Sequence, residues 1–198
     1  MKFLSFLFSY NFSLRLRGIR NRLYTIWIKN FIGQLGHGSR IYSPCSLQGN
    51  AVKNIKIGNY TCVHSHSILG CWPTKEKEDP TITIGNHCSI GEYNHITAAN
   101  KITIGDGLLT GHFVYIGDNS HGDLSWEEAS IAPVKRQLKS KGRIVIGKNV
   151  WLGDRVSILG GVTIGDNVIV GANAVVTHDL PSNCVAVGMP ARVIKTLK

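Results

Sequence analysis

The chain has 198 residues, 43% of them hydrophobic, and 22 lysines and arginines against 12 acidic residues give it a net charge of +10. This composition excludes a disordered polyelectrolyte, and the length sets the expectation of one domain with a small appendage. Five cysteines (Cys45, Cys62, Cys71, Cys88, Cys184) form no CxxC pair and are odd in number, which points to reduced, packed thiols in a cytoplasmic protein and not to a disulfide framework.

The positive charge is concentrated early, because Glu76 is the first acidic residue of the chain. Residues 1–32 open with an apolar cluster, Phe3, Leu4, Phe6, Leu7, Phe8 and Phe12, too short to span a bilayer. Arg15, Arg17, Arg20 and Arg22 follow at once without a small-residue cleavage site, which argues against a signal peptide. From Leu16 the spacing turns helical: Leu16, Ile19, Leu23, Ile26 or Trp27, and Phe31 share one face, with Arg20, Arg22 and Lys29 mostly elsewhere. Such a basic amphipathic helix rests on an anionic membrane surface, or packs on its own domain or a neighbouring subunit. Nucleic acid is not an expected partner.

A different rule governs residues 33–180. Ile146, Leu152, Ile158, Ile164, Val170 and Val176 recur every six residues, and Gly147, Gly153, Gly165 and Gly171 follow four of them. Six is neither the helical period nor that of a flat strand, so it marks a repeat architecture. It fits short strands turning a corner every six residues, each with one aliphatic side chain inward: an all-β fold, a parallel β-helix. The early coils are irregular. Ile57, Val63 and Leu69 keep the spacing, the stretch near residues 70–80 breaks it as an excursion loop, and Ile84, Ile90, Ile96 and Ile102 resume it before a two-residue slip to Ile104, Thr110 and Ile116. The rule then lapses over residues 117–143, the longest interruption after the first coils, where a functional loop is expected. Residues 181–198 are read as a cap, since an open coil end exposes strand edges.

His64 and His66 alternate on an expected strand and would face the same way. No third ligand accompanies them, so no metal is expected.

The segment VWLGDRVSILGGVTIGDNVIVGANAVVTHDLPSNCVAVGMPARVIK (Val150 to Lys195), with a histidine-bearing loop before it, resembles the hexapeptide-repeat acyltransferases, close to the maltose, galactoside and polysaccharide O-acetyltransferase branch. The resemblance covers roughly residues 55–195. It implies a left-handed β-helix, a homotrimer, acetyl-CoA as co-substrate and no metal. By position it implies that His121, in DNSHGD, is the catalytic histidine. Asp118 or a backbone carbonyl would orient that ring, and Asn94 would help to place base and acceptor. A covalent route through Ser120 ranks below direct attack. Trp151, Gly153, Asp154, Ala172 and Thr177 match the donor-binding coils, and Trp151 serves equally as a subunit contact. His178 stands where relatives often carry lysine, and Arg192 and Lys195 match a basic pair near the tail. Lys135, Arg136, Lys139, Lys141 and Arg143 would meet phosphates or acceptor, or form a solvated face.

The function implied is acetyl transfer to a sugar hydroxyl in capsular polysaccharide, exopolysaccharide or lipopolysaccharide biosynthesis, by a cytoplasmic enzyme that would sit at the inner face of the membrane if its helix rests there. The alternatives are acetylation of a xenobiotic, of serine or of an aminosugar nitrogen, or a non-catalytic β-helix that only binds.

Overall fold

A repeat of six with one inward aliphatic side chain requires three short strands per coil. The computed structural model of the protein, which describes residues 9–123 and 125–197, has that form. Sheet A stacks six strands from Gln34–Leu35 to Thr163–Ile164, sheet B eight from Arg40–Ile41 to Arg192–Thr196, and sheet C six from Ser46–Gln48 to Val175–Val176. The chain visits A, B and C in turn, and successive coils pair in parallel. Ile57, Ile84, Ile104, Ile146 and Ile164 stack inside sheet A. Leu69, Ile96, Ile116, Ile158 and Val176 do the same inside sheet C. All ten are at most 2% exposed, so one continuous apolar column runs the length of the prism.

The recurrent glycines answer to the spacing between coils. A Cβ on Gly85, Gly105 or Gly147 would lie 2.7 Å from the backbone of the glycine one coil further on, which no real Cβ tolerates. The left-handed corner positions fall two residues later, at Tyr60, His87, Asn149 and Asn167. Side chains from adjacent coils tie these corners together: Asn167 Nδ2 donates to Asn183 Oδ1 at 2.9 Å and Lys148 N to Asp166 Oδ1 at 2.6 Å.

Both ends of the prism are covered. At the first coil, the helix Tyr10–Ile28 supplies side chains where a preceding strand would have supplied backbone. Tyr24 Oη donates to the Cys45 carbonyl at 2.6 Å and accepts from Cys45 N at 2.9 Å. Thr25 Oγ1 accepts from Ile41 N at 3.2 Å, and Asn21 Oδ1 accepts from Ser43 N at 3.2 Å. Alternate backbone groups of the edge are thereby satisfied. At the other end, Arg192–Thr196 runs antiparallel to Cys184–Val187 and closes sheet B.

This docking sets the helix on its own prism, but chiefly through residues other than the apolar stripe. Leu16, Ile19, Leu23, Ile26, Trp27 and Phe31 are all exposed, and Thr25 and Ile28 are the buried helix residues. Of the apolar face read from the sequence, Trp27 and Phe31 line a cavity with Cys45, Leu47 and Val52 of the prism, while Leu16, Ile19, Leu23 and Ile26 are left exposed. The cluster from Phe3 to Phe8 lies outside the described residues. No described helix is long and apolar enough to cross a membrane.

Every interruption of the six-residue rule falls at one corner, where the chain leaves sheet C for sheet A. Residues 49–54 lie between Ser46–Gln48 and Ile55–Ile57, residues 72–80 between Ile68–Cys71 and Thr81–Ile84, and residues 118–143 between Tyr115–Gly117 and Ile144–Ile146. The two-residue slip belongs there too, since it falls between Ile96 of sheet C and Ile104 of sheet A. The other two corners stay regular. One edge of the prism thus carries all of its irregular chemistry.

Candidate active site

The longest interruption begins as a hairpin. Asn119–His121 pairs antiparallel with Leu138–Ser140, setting His121 opposite Leu138. Beyond it, Ser125 caps a short helix, Trp126–Ala129, by accepting from Glu128 N at 3.3 Å. Lys139 reaches Asp123 at 2.8 Å and Glu128 at 3.3 Å, and this pairing holds the Asp123 carboxyl below its usual range. The loop is therefore internally braced.

His121 is exposed, and its ring has no hydrogen-bond partner among the described residues. It stands on the wall between two cavities. One, about 460 Å³, is also lined by Asp123, Arg136, Lys139 and Lys141. The other, about 390 Å³, lies over the outer face of sheet C, with Trp72, His95 and Tyr115. A charged compartment and a neutral aromatic one therefore meet at a single imidazole.

Two expected helpers of His121 have other work. Asp118 is 1% exposed; it accepts from Ala99 N at 2.6 Å through one oxygen, and from Asn100 N at 3.0 Å and Lys101 N at 2.8 Å through the other. Burial pushes its carboxyl above the ordinary value, while the three N–H donors and Asn119 pull it down. Its carboxylate thus clamps the preceding coil at the root of the hairpin. Asn94, also 1% exposed, lies inside the prism: its Nδ2 donates to Thr110 Oγ1 and its Oδ1 accepts from Val114 N at 2.7 Å. The expectation that Asn94 helps to place an acceptor is therefore corrected, because a side chain turned into the core does not reach a ligand outside it. Ser120 donates its hydroxyl to the Gly122 carbonyl at 3.0 Å.

The donor-side candidates divide between edges of the prism. Trp151, half exposed, lies on the outer face of sheet B between Leu109 and Ile169. Gly153, Asp154 and Ala172 occupy the corner between sheets B and C, where a Cβ on Gly153 would meet Ala172 N at 2.7 Å. Asp154 accepts from His112 N at 2.8 Å, and this bond leads the influences that hold its carboxyl below the usual range. Exposed Arg192 and Lys195 belong to the closing strand, opposite Val187 and Val185 of sheet B. Thr177 and His178 follow Val175–Val176 on the opposite edge, the one that carries the hairpin, with Thr177 Oγ1 and His178 Nδ1 2.7 Å apart. Within one chain, most of the donor-side set and His121 therefore lie on different edges.

The His64 and His66 pair does not form as expected. The strand ends at Val63 and His66 takes φ 63°, so the rings separate. His64 meets Tyr42 edge-on, and His66 stacks on Tyr93 with centroids 4.6 Å apart. Among the described residues no group of three or more His, Cys, Asp or Glu side chains could hold a metal.

Trp72, His95 and Tyr115 were not singled out in the sequence. A signal was present: His95 and Tyr115 each immediately precede an inward isoleucine of sheet C, so they point outward in the same column, on the face whose far end carries the insertions.

Comparison with known proteins places this geometry. The model of the bacterial transferase hexapeptide (six repeats) matches residues 143–178. The putative lipopolysaccharide biosynthesis O-acetyl transferase WbbJ of Escherichia coli is 38% identical over 118 residues, which are 58% of this chain and 60% of that protein. A chloramphenicol acetyltransferase of Klebsiella aerogenes is 30% identical over 151 residues, covering 72% of this chain and 67% of its own. Among solved structures, AntD, an N-acyltransferase from Bacillus cereus in complex with dTDP and coenzyme A, superposes with a TM-score of 0.72 at 24% identity, over 87% of this chain and 88% of that one. The hexapeptide-repeat acetyltransferase VCA0836 of Vibrio cholerae, complexed with acetyl coenzyme A, does so with a TM-score of 0.53 at 27% identity, over 86% and 74%.

Proposed function

The chain belongs to the hexapeptide-repeat acyltransferases, whose prism is a left-handed parallel β-helix, and on that premise we propose that it is an acetyl-CoA-dependent O-acetyltransferase acting on a sugar hydroxyl in the assembly of capsular, extracellular or lipopolysaccharide glycans. The observation that carries this reading is the position of His121, exposed on a braced hairpin and shared by a cationic and an aromatic cavity. A ring nitrogen of His121 takes the proton of the acceptor hydroxyl as its oxygen attacks the thioester carbonyl. The C–S bond then breaks, and the departing thiolate takes up that proton. Imidazole suits this work because its ordinary pKa lies near neutrality.

The donor side fits coenzyme A. Gly153 and Ala172 leave corner backbone uncovered beside half-exposed Trp151, and exposed Arg192 and Lys195 offer cations for phosphates. Because these groups and His121 occupy different edges, the site is completed when the hairpin edge of one copy meets the donor corner of the next, as in a homotrimer. Leu109, Trp151 and Ile169 support that assembly: they form one column on sheet B, 48%, 50% and 38% exposed, an apolar strip that a second copy would cover.

Incubation with acetyl-CoA and a panel of methyl glycosides should release free thiol and yield an acetyl ester. Chloramphenicol, serine and an aminosugar provide the competing arms. Turnover confined to one of those arms would replace the sugar-hydroxyl reading, and failure to bind coenzyme A would remove the donor half.

The N-terminal helix supports work at the cytoplasmic face of the membrane. Its arc of Leu16, Ile19, Leu23 and Ile26 is exposed, and helical geometry sets Arg20 on one flank and Arg15 and Arg22 on the other. The full chain should co-sediment with phosphatidylglycerol vesicles at low salt and far less with phosphatidylcholine vesicles. Leu23→Glu should reduce the bound fraction several-fold without altering the unfolding midpoint. Equal binding by this variant would leave the stripe to a protein neighbour.

A further inference from the structure

The outer face of sheet C beside His121 carries an aromatic floor, with Trp72 and Tyr115 laid over glycine positions and His95 edge-on to Tyr115, and we propose that this floor is the acceptor subsite, holding an uncharged pyranose by one face. The proposal rests on the acetyl-transfer reading for the role of His121, and it names the chemistry of the unit that His121 deprotonates.

The floor exists because side chains are missing beneath it. Gln48, Gly70, Thr97 and Gly117 are register partners in one outward column. A Cβ on Gly70 would lie 2.9 Å from Trp72 Nε1, and one on Gly49 would lie 3.1 Å from Trp72 Cδ2. A Cβ on Gly117 would strike the Tyr115 hydroxyl. The indole and the phenol therefore lie across positions that carry no side chain, where substituted strands would force them to stand up. His95, register partner of Tyr115, meets it edge-on with centroids 5.6 Å apart.

What surrounds the floor selects the ligand. Among the described residues, no Asp, Glu, Lys or Arg lines the cavity of about 390 Å³. Burial holds the His95 imidazole below its ordinary value, so the floor is uncharged at neutral pH. Gln48 and Asn119 stand at the rim, and Asn119 turns its Nδ2 toward the Thr97 carbonyl at 3.1 Å, which leaves Oδ1 as an acceptor. A flat apolar base with neutral hydrogen-bonding edges matches a pyranose, whose axial C–H groups form an apolar face and whose hydroxyls lie around the perimeter. A phosphorylated or carboxylated unit would find its counter-charges in the neighbouring cavity with Arg136, Lys139 and Lys141, across His121. The stacked ring is therefore the neutral one, and the hydroxyl nearest the hairpin is the one presented to the base.

Saturation-transfer NMR on the full chain with the methyl pyranosides of glucose, galactose, mannose and N-acetylglucosamine separates this inference from the catalytic one. At least one glycoside should receive saturation, strongest on its axial C–H protons. Trp72→Ala should weaken its binding about threefold to tenfold, and Trp72→Phe should largely restore it at an unchanged unfolding midpoint. In turnover the same loss should appear in the acceptor KM, with the Kd for acetyl-CoA unchanged. Binding by none of the four, or equal binding by Trp72→Ala, overturns the subsite. Acetyl transfer with a KM indifferent to Trp72 defeats the subsite and leaves the enzyme reading standing. Trp72-dependent binding without any transfer does the reverse.

Discussion

Replacing His121 with alanine should lower kcat by about 10²- to 10⁴-fold, the range for loss of a positioned general base, while coenzyme A binding and the unfolding midpoint stay within error. The second half of this expectation follows from how little His121 does for the fold. Its backbone is held by the pairing of Asn119–His121 with Leu138–Ser140, which any residue supplies. Its ring is exposed and has no hydrogen-bond partner among the described residues, so truncation leaves neither a cavity nor an orphaned donor. Steady-state kinetics with saturating acetyl-CoA, set beside calorimetric titration of coenzyme A, would test both halves. Full turnover by the variant would end the general-base mechanism. Lost turnover with lost coenzyme A binding would reassign His121 to the donor site.

Asp118→Ala should act on stability instead, costing about 2–5 kcal/mol. Its carboxylate accepts all three consecutive backbone N–H groups of Ala99, Asn100 and Lys101. Removing it strands the buried Ala99 donor and leaves those of Asn100 and Lys101 without their protein acceptor. Asp118→Asn should recover little, because the amide nitrogen would face a donor whichever way it turned. For a chain of this size the loss corresponds to a midpoint lowered by roughly 10 °C, readable by differential scanning calorimetry. Had Asp118 served chiefly to orient His121, the asparagine variant would keep its midpoint and lose kcat. That outcome would overturn the structural assignment.

These two neighbours show where sequence reading succeeds and where it stops. His121 and Asp118 lie in one short run, DNSH, and both invite a catalytic role. Spacing separates a repeat from its interruption, but it does not say that Asp118 still points back into the coil it has left while His121 has already reached the surface. Asn94 presents the same difficulty. The family resemblance offers it as a helper of the base, but its side chain is turned inward, because Thr110 and Val114 offer it partners inside the prism. The amphipathic stripe of the helix was legible as a pattern, yet the pattern did not reveal which residues hold the helix to the prism. The helix docks through Asn21, Tyr24 and Thr25, polar residues whose reach matches the unpaired strand edge.

By itself, the sequence determined the parallel coils, because a sixfold aliphatic period admits one way of turning one side chain per segment into a common core, and glycine alone fits between stacked backbones. It also located the segment to which His121 belongs. Tertiary structure decided the rest. Residues 49–54, 72–80 and 118–143 converge on a single edge because each coil returns to the same corner, a relation that no local window contains. The aromatic floor beside His121 depends on Gly49, Gly70 and Gly117 lying beneath rings from other positions, and Asp118 belongs to the fold because its partners lie one coil away.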